Sequence, residues 1–266
     1  MFEFSKKTYI MGILNVTPDS FSDGGRYNEA ESAIKRAIEM QNQGADIIDV
    51  GGESTRPGHT PVSEHDEIIR ISKVVRSLRE NIDIPVSIDT YKSNVAACAL
   101  KLGASIINDI WGLQKDPEMA RIVAQNDAYV VAMHNQDGTE YEADIMEEIK
   151  SFLKKSVEIA INAGVDKDKI ILDPGIGFGK TPEQNIEVMA RLEELKSLGY
   201  PILLGASRKS MIGKILDLPS NERVEGTVAT TVIGIEKGVD IVRVHDVKEN
   251  YRAAKVADAI LRRRGI

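Results

Sequence analysis

Asp89, Asn108 and Asp173 each close a short apolar run, and Arg243 and His245 close another. Carboxylates and an amide suit a heterocycle with adjacent N–H donors, because a carboxylate facing a guanidine-like edge accepts two parallel charge-assisted hydrogen bonds. Arg56, Lys209, Arg243 and His245 are cations and donors of the kind that hold phosphate or pyrophosphate. Asn15, after the first apolar run, offers an oxygen to a Mg2+ that keeps most of its waters and shares the phosphates. Acidic and basic halves side by side imply a substrate with a polar ring at one end and a phosphorylated group at the other. The stretch "NVTPDSFSDGG" adds a puzzle: Phe21, a large aromatic, stands between Asp19 and Asp23 in a polar loop where water is expected.

These residues recur at one place in a repeating pattern. Short apolar runs at 8–14, 45–50, 85–90, 104–109, 128–133, 169–174, 201–206 and 240–245 alternate with amphipathic stretches. Their continuity predicts a parallel sheet covered by helices. Between them, Thr181, Pro182 and Gln184 predict a capped helix start, with Gly199 as its stop. Ser63 with Asp66 predicts a second cap, and Gly44, Gly103, Gly164 and Gly238 each end a helix before the next strand. Eight such units predict a (β/α)8 TIM barrel in the α/β class; an open doubly wound sheet is the alternative. No linker or shift in composition divides the chain, so residues 1–266 are expected to form a single domain. A barrel gathers its strand ends on one face, where active sites lie. Asn15, Asp89, Asn108, Asp109, Met133, His134, Asp173, Arg208, Lys209, Arg243 and His245 then meet there, with "GGESTRPG" after the second strand.

Composition narrows the classes. A net charge of −7 argues against a nucleic-acid binder, which needs a basic face to displace counterions. No apolar run reaches membrane-spanning length, and the N-terminus lacks the pattern of a signal peptide. Cys98 is the one cysteine, which excludes an intramolecular disulfide and fits the cytoplasm. "DPGIGFGKT" imitates a phosphate-binding loop, but Pro174 stands where that pattern needs its first glycine, and Lys180 where a dinucleotide fingerprint needs its third. Cys98 reads as packing, His59 and His65 as solvated, Trp111 as either core or pocket wall, and the terminal arginines as a charged helix end.

"GILNVTPDSFSDGG", "GGESTRPG", "SIDT", "IND", "LDPGIGFGK", "SRKS" and "VRVHDV", in this order over nearly the whole chain, closely resemble the dihydropteroate synthase family. The resemblance implies a (β/α)8 barrel, a homodimer, and condensation of 6-hydroxymethyl-7,8-dihydropterin pyrophosphate with p-aminobenzoate. It implies pterin contacts at Asp89, Asn108, Ile110, Met133, Asp173, Phe178, Lys209 and Arg243, and a pyrophosphate and Mg2+ side at Asn15, Arg56, Arg243 and His245. It implies a p-aminobenzoate pocket at Phe21, Thr55, Pro57 and Ser210, with Asp23, Arg56 and Lys209 serving the reaction and sulfonamides as mimics of the amine. Phe21 then lids the aromatic amine. The chain departs from the family after strand five, where "MHNQDGTEYEADIME" lacks the usual Pro and Met-Gln pair. Two rivals share the barrel: corrinoid-dependent methyltransferases, which need no pyrophosphate subsite, and a catalytically dead binding barrel.

Overall fold

A computed structural model of the protein describes residues 2–4, 6–16, 26–53 and 62–261. Eight parallel strands are Tyr9–Asn15 (β1), Ile47–Gly51 (β2), Val86–Asp89 (β3), Ile106–Asp109 (β4), Tyr129–Met133 (β5), Ile170–Asp173 (β6), Leu203–Leu204 (β7) and Ile241–Val244 (β8). They hydrogen-bond in the order β6-β5-β4-β3-β2-β1-β8-β7, and a lone parallel bridge between Leu172 and Ile202 joins the ends. The (β/α)8 barrel is therefore closed, and the open-sheet alternative falls.

The helices around it are Arg26–Asn42 (α1), Glu64–Asn81 (α2), Ser93–Lys101 (α3), Met119–Gln125 (α4), Ile145–Asn162 (α5), Pro182–Ala190 (α6), Ser210–Leu216 (α7), Val224–Glu236 (α8) and Val247–Leu261 (α9). In α2 the Ser63 hydroxyl accepts from the Asp66 N–H at 3.1 Å, and Ile71, Val74, Val75 and Leu78 form the buried stripe. The four glycines expected to stop helices all adopt positive φ. At Thr181 the capping box is complete, with Pro182 opening α6. That helix ends nine residues short of Gly199, however, and a 3-10 segment Leu192–Leu198 follows. The reason lies in leucine spacing: a three-residue turn stacks positions three apart, and it buries both Leu192 and Leu195.

Strand alternation divides the core into two layers. Ile10, Ile48, Val50, Ile88, Ile107, Val130, Ala132, Leu172 and Val242 point outward and pack with the helices. Met11, Ile47, Ile106, Val131, Ile171, Leu203 and Ile241 point inward and fill the lower barrel, with Tyr9 beneath them. Phe2 plugs that end, its ring 5.0 Å from Tyr9 and 5.1 Å from Tyr129.

Candidate active site

Two residues further along several strands, the inward positions change character. Asp49 follows Ile47, Asn108 follows Ile106, Asp173 follows Ile171 and Arg243 follows Ile241. Asp49, Ser87, Asp89, Asn108 and Asp173 are buried, and strand pairing sets Asp49 beside Ser87 and Asp89 beside Asn108. Arg243 joins the layer: its Nε donates to Asp49 Oδ2 at 2.6 Å and a terminal nitrogen to Asp89 Oδ2 at 2.7 Å. Asn108 Nδ2 donates to the same Asp49 oxygen at 3.2 Å.

Above this layer lies a pocket of about 320 Å³, open to solvent on one side, walled by Asp89, Asn108, Ile110, Met133, Asp173, Ile176, Phe178, Gly205, Lys209 and Arg243. Every residue that the resemblance assigned to the pterin lines it. Asp173 Oδ1 accepts the Gly175 N–H at 2.7 Å, while Oδ2 faces the bare Cα of Gly205 at the end of β7. The Lys209 ammonium lies 4.1 Å from the centre of the Phe178 ring, and a Cβ on Gly177 would run into the lysine stem. Burial pushes the Asp173 carboxyl up to about 6, against the Gly175 N–H and the charges of Lys209 and Arg243. Burial likewise raises Asp89, with Arg243 opposing it and Asp49 adding to it. Asp89 Oδ1 and Asp49 Oδ1 are buried with no hydrogen bond among the described residues. An orphaned buried acceptor is costly, so such oxygens are primed to take a donor from a bound molecule.

The cationic rim follows. His245 Nδ1 lies 3.0 Å from the Ser207 hydroxyl, and the Ser207 oxygen accepts the His245 N–H at 3.2 Å. Ser210 is exposed at the start of α7. Arg208 takes a left-handed conformation (φ 57°), and its guanidinium forks onto Asp246. Asn15, half-buried, ends β1 with its amide oxygen 3.4 Å from where a Gly51 Cβ would stand. Phe21, Asp23, Thr55, Arg56, Pro57 and His59 lie outside the described residues. Flanking the 54–61 segment, the Lys92 ammonium donates to Glu67 at 2.6 Å, to the Val62 carbonyl at 2.7 Å, and to Glu53. Val62 N–H in turn reaches Glu53 at 3.2 Å. Burial acts to lower the Lys92 pKa, but its bonds to Glu53 and Glu67 outweigh burial and raise it.

Some strand-end residues do other work. Asp109 turns away from the pocket and accepts the N–H groups of Trp111 and Leu113, both at 2.8 Å. Trp111 is half-buried beside Lys115, outside the pocket wall. His65 is exposed, as its sequence surroundings indicated. His134 is buried against Phe152 and Tyr141. The loop after β5 lies behind the β6–α6 turn, with the Tyr141 hydroxyl on the Gly179 carbonyl at 2.9 Å and the Gln184 amide on Thr139 at 2.9 Å. Asp49 and the Lys92 cluster were missed by sequence reading. Their signals were a carboxylate inside the apolar run "ADIIDV" and a lysine directly after "SIDTY".

A closed barrel with buried carboxylates beneath a pocket that Lys209 and Arg243 also wall, at the C-terminal ends of the strands, has the placement of an enzyme site. Comparison with known proteins narrows the class. The pterin binding enzyme family matches residues 11–245. The dihydropteroate synthase of Clostridium beijerinckii is 60% identical over 98% of this chain and 97% of its own. A crystal structure of the Clostridium difficile dihydropteroate synthase, in the presence of pteroic acid, superposes with a TM-score of 0.97 at 62% identity, covering 98% of this chain and all of that one (100%). The Yersinia pestis dihydropteroate synthase, in complex with a sulfonamide drug, gives 0.91 at 42% identity over 97% and 96% of the two chains. The chain belongs to the pterin binding enzymes, in the dihydropteroate synthase family.

Proposed function

We propose that this enzyme joins 6-hydroxymethyl-7,8-dihydropterin pyrophosphate to p-aminobenzoate, releasing pyrophosphate and forming 7,8-dihydropteroate for folate synthesis. The observation that carries the reading is the convergence of Asp89, Asn108 and Asp173 with Lys209 and Arg243 around one pocket. Asp173 Oδ2 and Asp89 Oδ1 accept from the N–H edge of the pterin, and Asn108 adds its amide. Arg243, gripped by Asp49 and Asp89, stacks on the ring, with Ile110, Met133 and Phe178 as apolar contacts. Asn15, Arg56, Arg243 and His245 hold the pyrophosphate. Phe21, Thr55, Pro57 and Ser210 form the p-aminobenzoate subsite, which also accepts sulfonamides.

Pyrophosphate is a good leaving group and the pterin can spread positive charge from the departing CH2, so the displacement is largely dissociative. Such a reaction needs charge stabilisation more than a strong base. Asp23 stabilises the cation, Arg56 and Lys209 the departing anion, and Phe21 keeps out water that would capture the cation as an alcohol. Mg2+ supplies charge neutralisation of the pyrophosphate when bound. The donor set fits that ion: Asn15 gives one neutral oxygen, and no trio of His, Cys, Asp or Glu among the described residues forms a closed cage. Asn15 is therefore the residue that would hold a largely hydrated ion.

The enzyme acts as one barrel domain, in the cytoplasm, and as a homodimer. Exposed Ile215 and Leu216 on α7 and Val232 and Ile233 on the neighbouring α8 supply an apolar face for the second copy. No helix among the described residues is long and apolar enough to cross a membrane. The test is pyrophosphate release from the dihydropterin pyrophosphate with Mg2+, with and without p-aminobenzoate. Stoichiometric dihydropteroate is the expected result. Binding of the pterin without release, at any concentration of the amine, overturns the reading and returns the chain to the methyltransferase or binding-barrel alternatives.

A further inference from the structure

Lys180, the residue that made "DPGIGFGKT" imitate a phosphate loop, sits under the pocket and faces no phosphate site. Its side chain is buried. Its ammonium lies 2.9 Å from His134 Nδ1, 3.0 Å from the Gly175 carbonyl and 3.1 Å from the Phe178 carbonyl. An ammonium has three protons and no acceptor capacity, so these three partners use it completely. With Lys180 charged, the histidine nitrogen is the unprotonated one, which puts the ring proton on Nε2.

The carbonyls that Lys180 holds belong to the turn that walls the pterin pocket. Gly175 donates to Asp173 through its N–H, and Phe178 lies under the Lys209 ammonium. Gly175 stands at φ 71°, and a Cβ there would come within 1.9 Å of the His134 carbonyl oxygen, so the turn rests directly on the end of β5. Asn185 closes it from α6, accepting the Gly177 N–H at 2.6 Å and donating to the Lys180 carbonyl at 3.3 Å.

We propose that Lys180 is a positioning residue for the pterin site, a three-point tie that fixes the 175–178 turn to His134 and so aims Asp173 and Phe178 at the ring. The proposal deepens the function proposed above and rests on it. Titratable groups facing Lys180 are His134 from β5, Tyr141 from the following loop, which stacks on that histidine, Asp173 from β6, and Lys209 from the β7–α7 turn. Burial pulls the Lys180 pKa down to about 7 while Asp173 pulls it up. Burial, reinforced by Lys180, takes His134 down to about 3, so it stays the neutral acceptor the tie requires.

The experiment compares the natural protein with Lys180→Met and Lys180→Arg, titrating 6-hydroxymethyl-7,8-dihydropterin pyrophosphate without p-aminobenzoate and measuring KM for each substrate. Lys180→Met leaves His134 Nδ1 and the Phe178 carbonyl without their donor, while the Gly175 carbonyl keeps the Phe178 N–H at 3.1 Å. Lys180→Arg keeps donors but not their placement, and pterin Kd should rise about tenfold or more in the methionine variant and less in the arginine one. KM for p-aminobenzoate at saturating pterin should stay within about twofold, a split that general loosening would not give. A folded Lys180→Met with unchanged pterin Kd overturns the inference alone; failure of the natural protein to bind the pterin overturns the proposed function with it. The natural protein also supplies a readout that survives any variant's failure to fold. Its His134 ring should show, by nitrogen NMR, a neutral Nε2–H tautomer persisting below pH of about 5. An Nδ1–H tautomer, or titration near the ordinary value, overturns the tie.

Discussion

The barrel interior holds two layers built from the same strands, one register repeat apart. The lower, with Met11, Ile47, Ile106, Val131, Ile171, Leu203 and Ile241, is apolar and buried. The upper, with Asp49, Ser87, Asp89, Asn108, Asp173 and Arg243, crowds carboxylates around one guanidinium and leaves buried oxygens unbonded. The lower layer is what hydrophobic burial favours; the upper is what it opposes, because each buried charge loses hydration. Stability and recognition are thus separated by a step of two residues along each strand. A side chain's contribution is set by its height in the barrel.

Variants that cross this division should show it most strongly. Asp173→Ala removes an acceptor pair from the pocket, and pterin Kd should rise about 100-fold or more, since a hydrogen bond to a charged group contributes roughly 1.5–3 kcal/mol. Its urea midpoint should change little, because relief of a buried carboxylate offsets the Gly175 N–H left without its acceptor. A Kd within threefold of the natural protein's would remove Asp173 from the pterin site. Ile171→Ala, two residues earlier on β6, should do the reverse: stability falls by about 2–5 kcal/mol, while the folded fraction binds pterin normally. Weakened binding with intact stability would merge the two layers.

Asp49→Asn sharpens the comparison within the upper layer. It keeps the shape but loosens the grip on Arg243, and pterin affinity should fall about tenfold as measured by calorimetry; no change would leave Asp49 a spectator. The smallest effect is that of pH. Burial raises the folded pKa of Asp173 to about 6, above its unfolded value, and raises that of Asp89 as well. A raised folded pKa gives stability that is fully present below the unfolded value and is lost as pH rises through the folded one. The ligand-free enzyme should therefore gain stability from these groups on moving from pH of about 7 to about 5, while pterin affinity falls as the acceptors take protons. Thermal melts and pterin titrations across that range, showing both quantities moving together, would break the assignment.

Much of this division was hidden from the sequence for one physical reason. In a parallel sheet covered on both faces, inward and outward positions are equally apolar, so alternation carries no signal. Asp89, Asn108 and Asp173 were legible because each ends its run, where polarity stands out. Asp49 lies within "ADIIDV", and only pairing with β1 and β3 shows that it points inward. Lys180 stands out in the sequence only as part of a motif that fails, since its partners Gly175 and Phe178 are backbone carbonyls of its own turn and His134 reaches it only in the fold. The α6 boundary was misjudged because Gly199 stops the 3-10 segment, and nothing in composition separates that segment from the helix before it.

The barrel wall is not uniform around its circumference. Between β6 and β7 it is joined by the lone Leu172–Ile202 bridge and a 2.9 Å hydrogen bond from Leu172 N–H to the Pro201 carbonyl, and β7 has only two residues. Asp173 stands on one lip of this seam, Gly205 and Lys209 on the other. A pterin bound as proposed, held from both lips, would be a stitch across the weakest stretch of the cylinder. Bound in that way the substrate would complete the wall that encloses it, and the amides of Ile202 to Leu204 should exchange with solvent more slowly once it is bound.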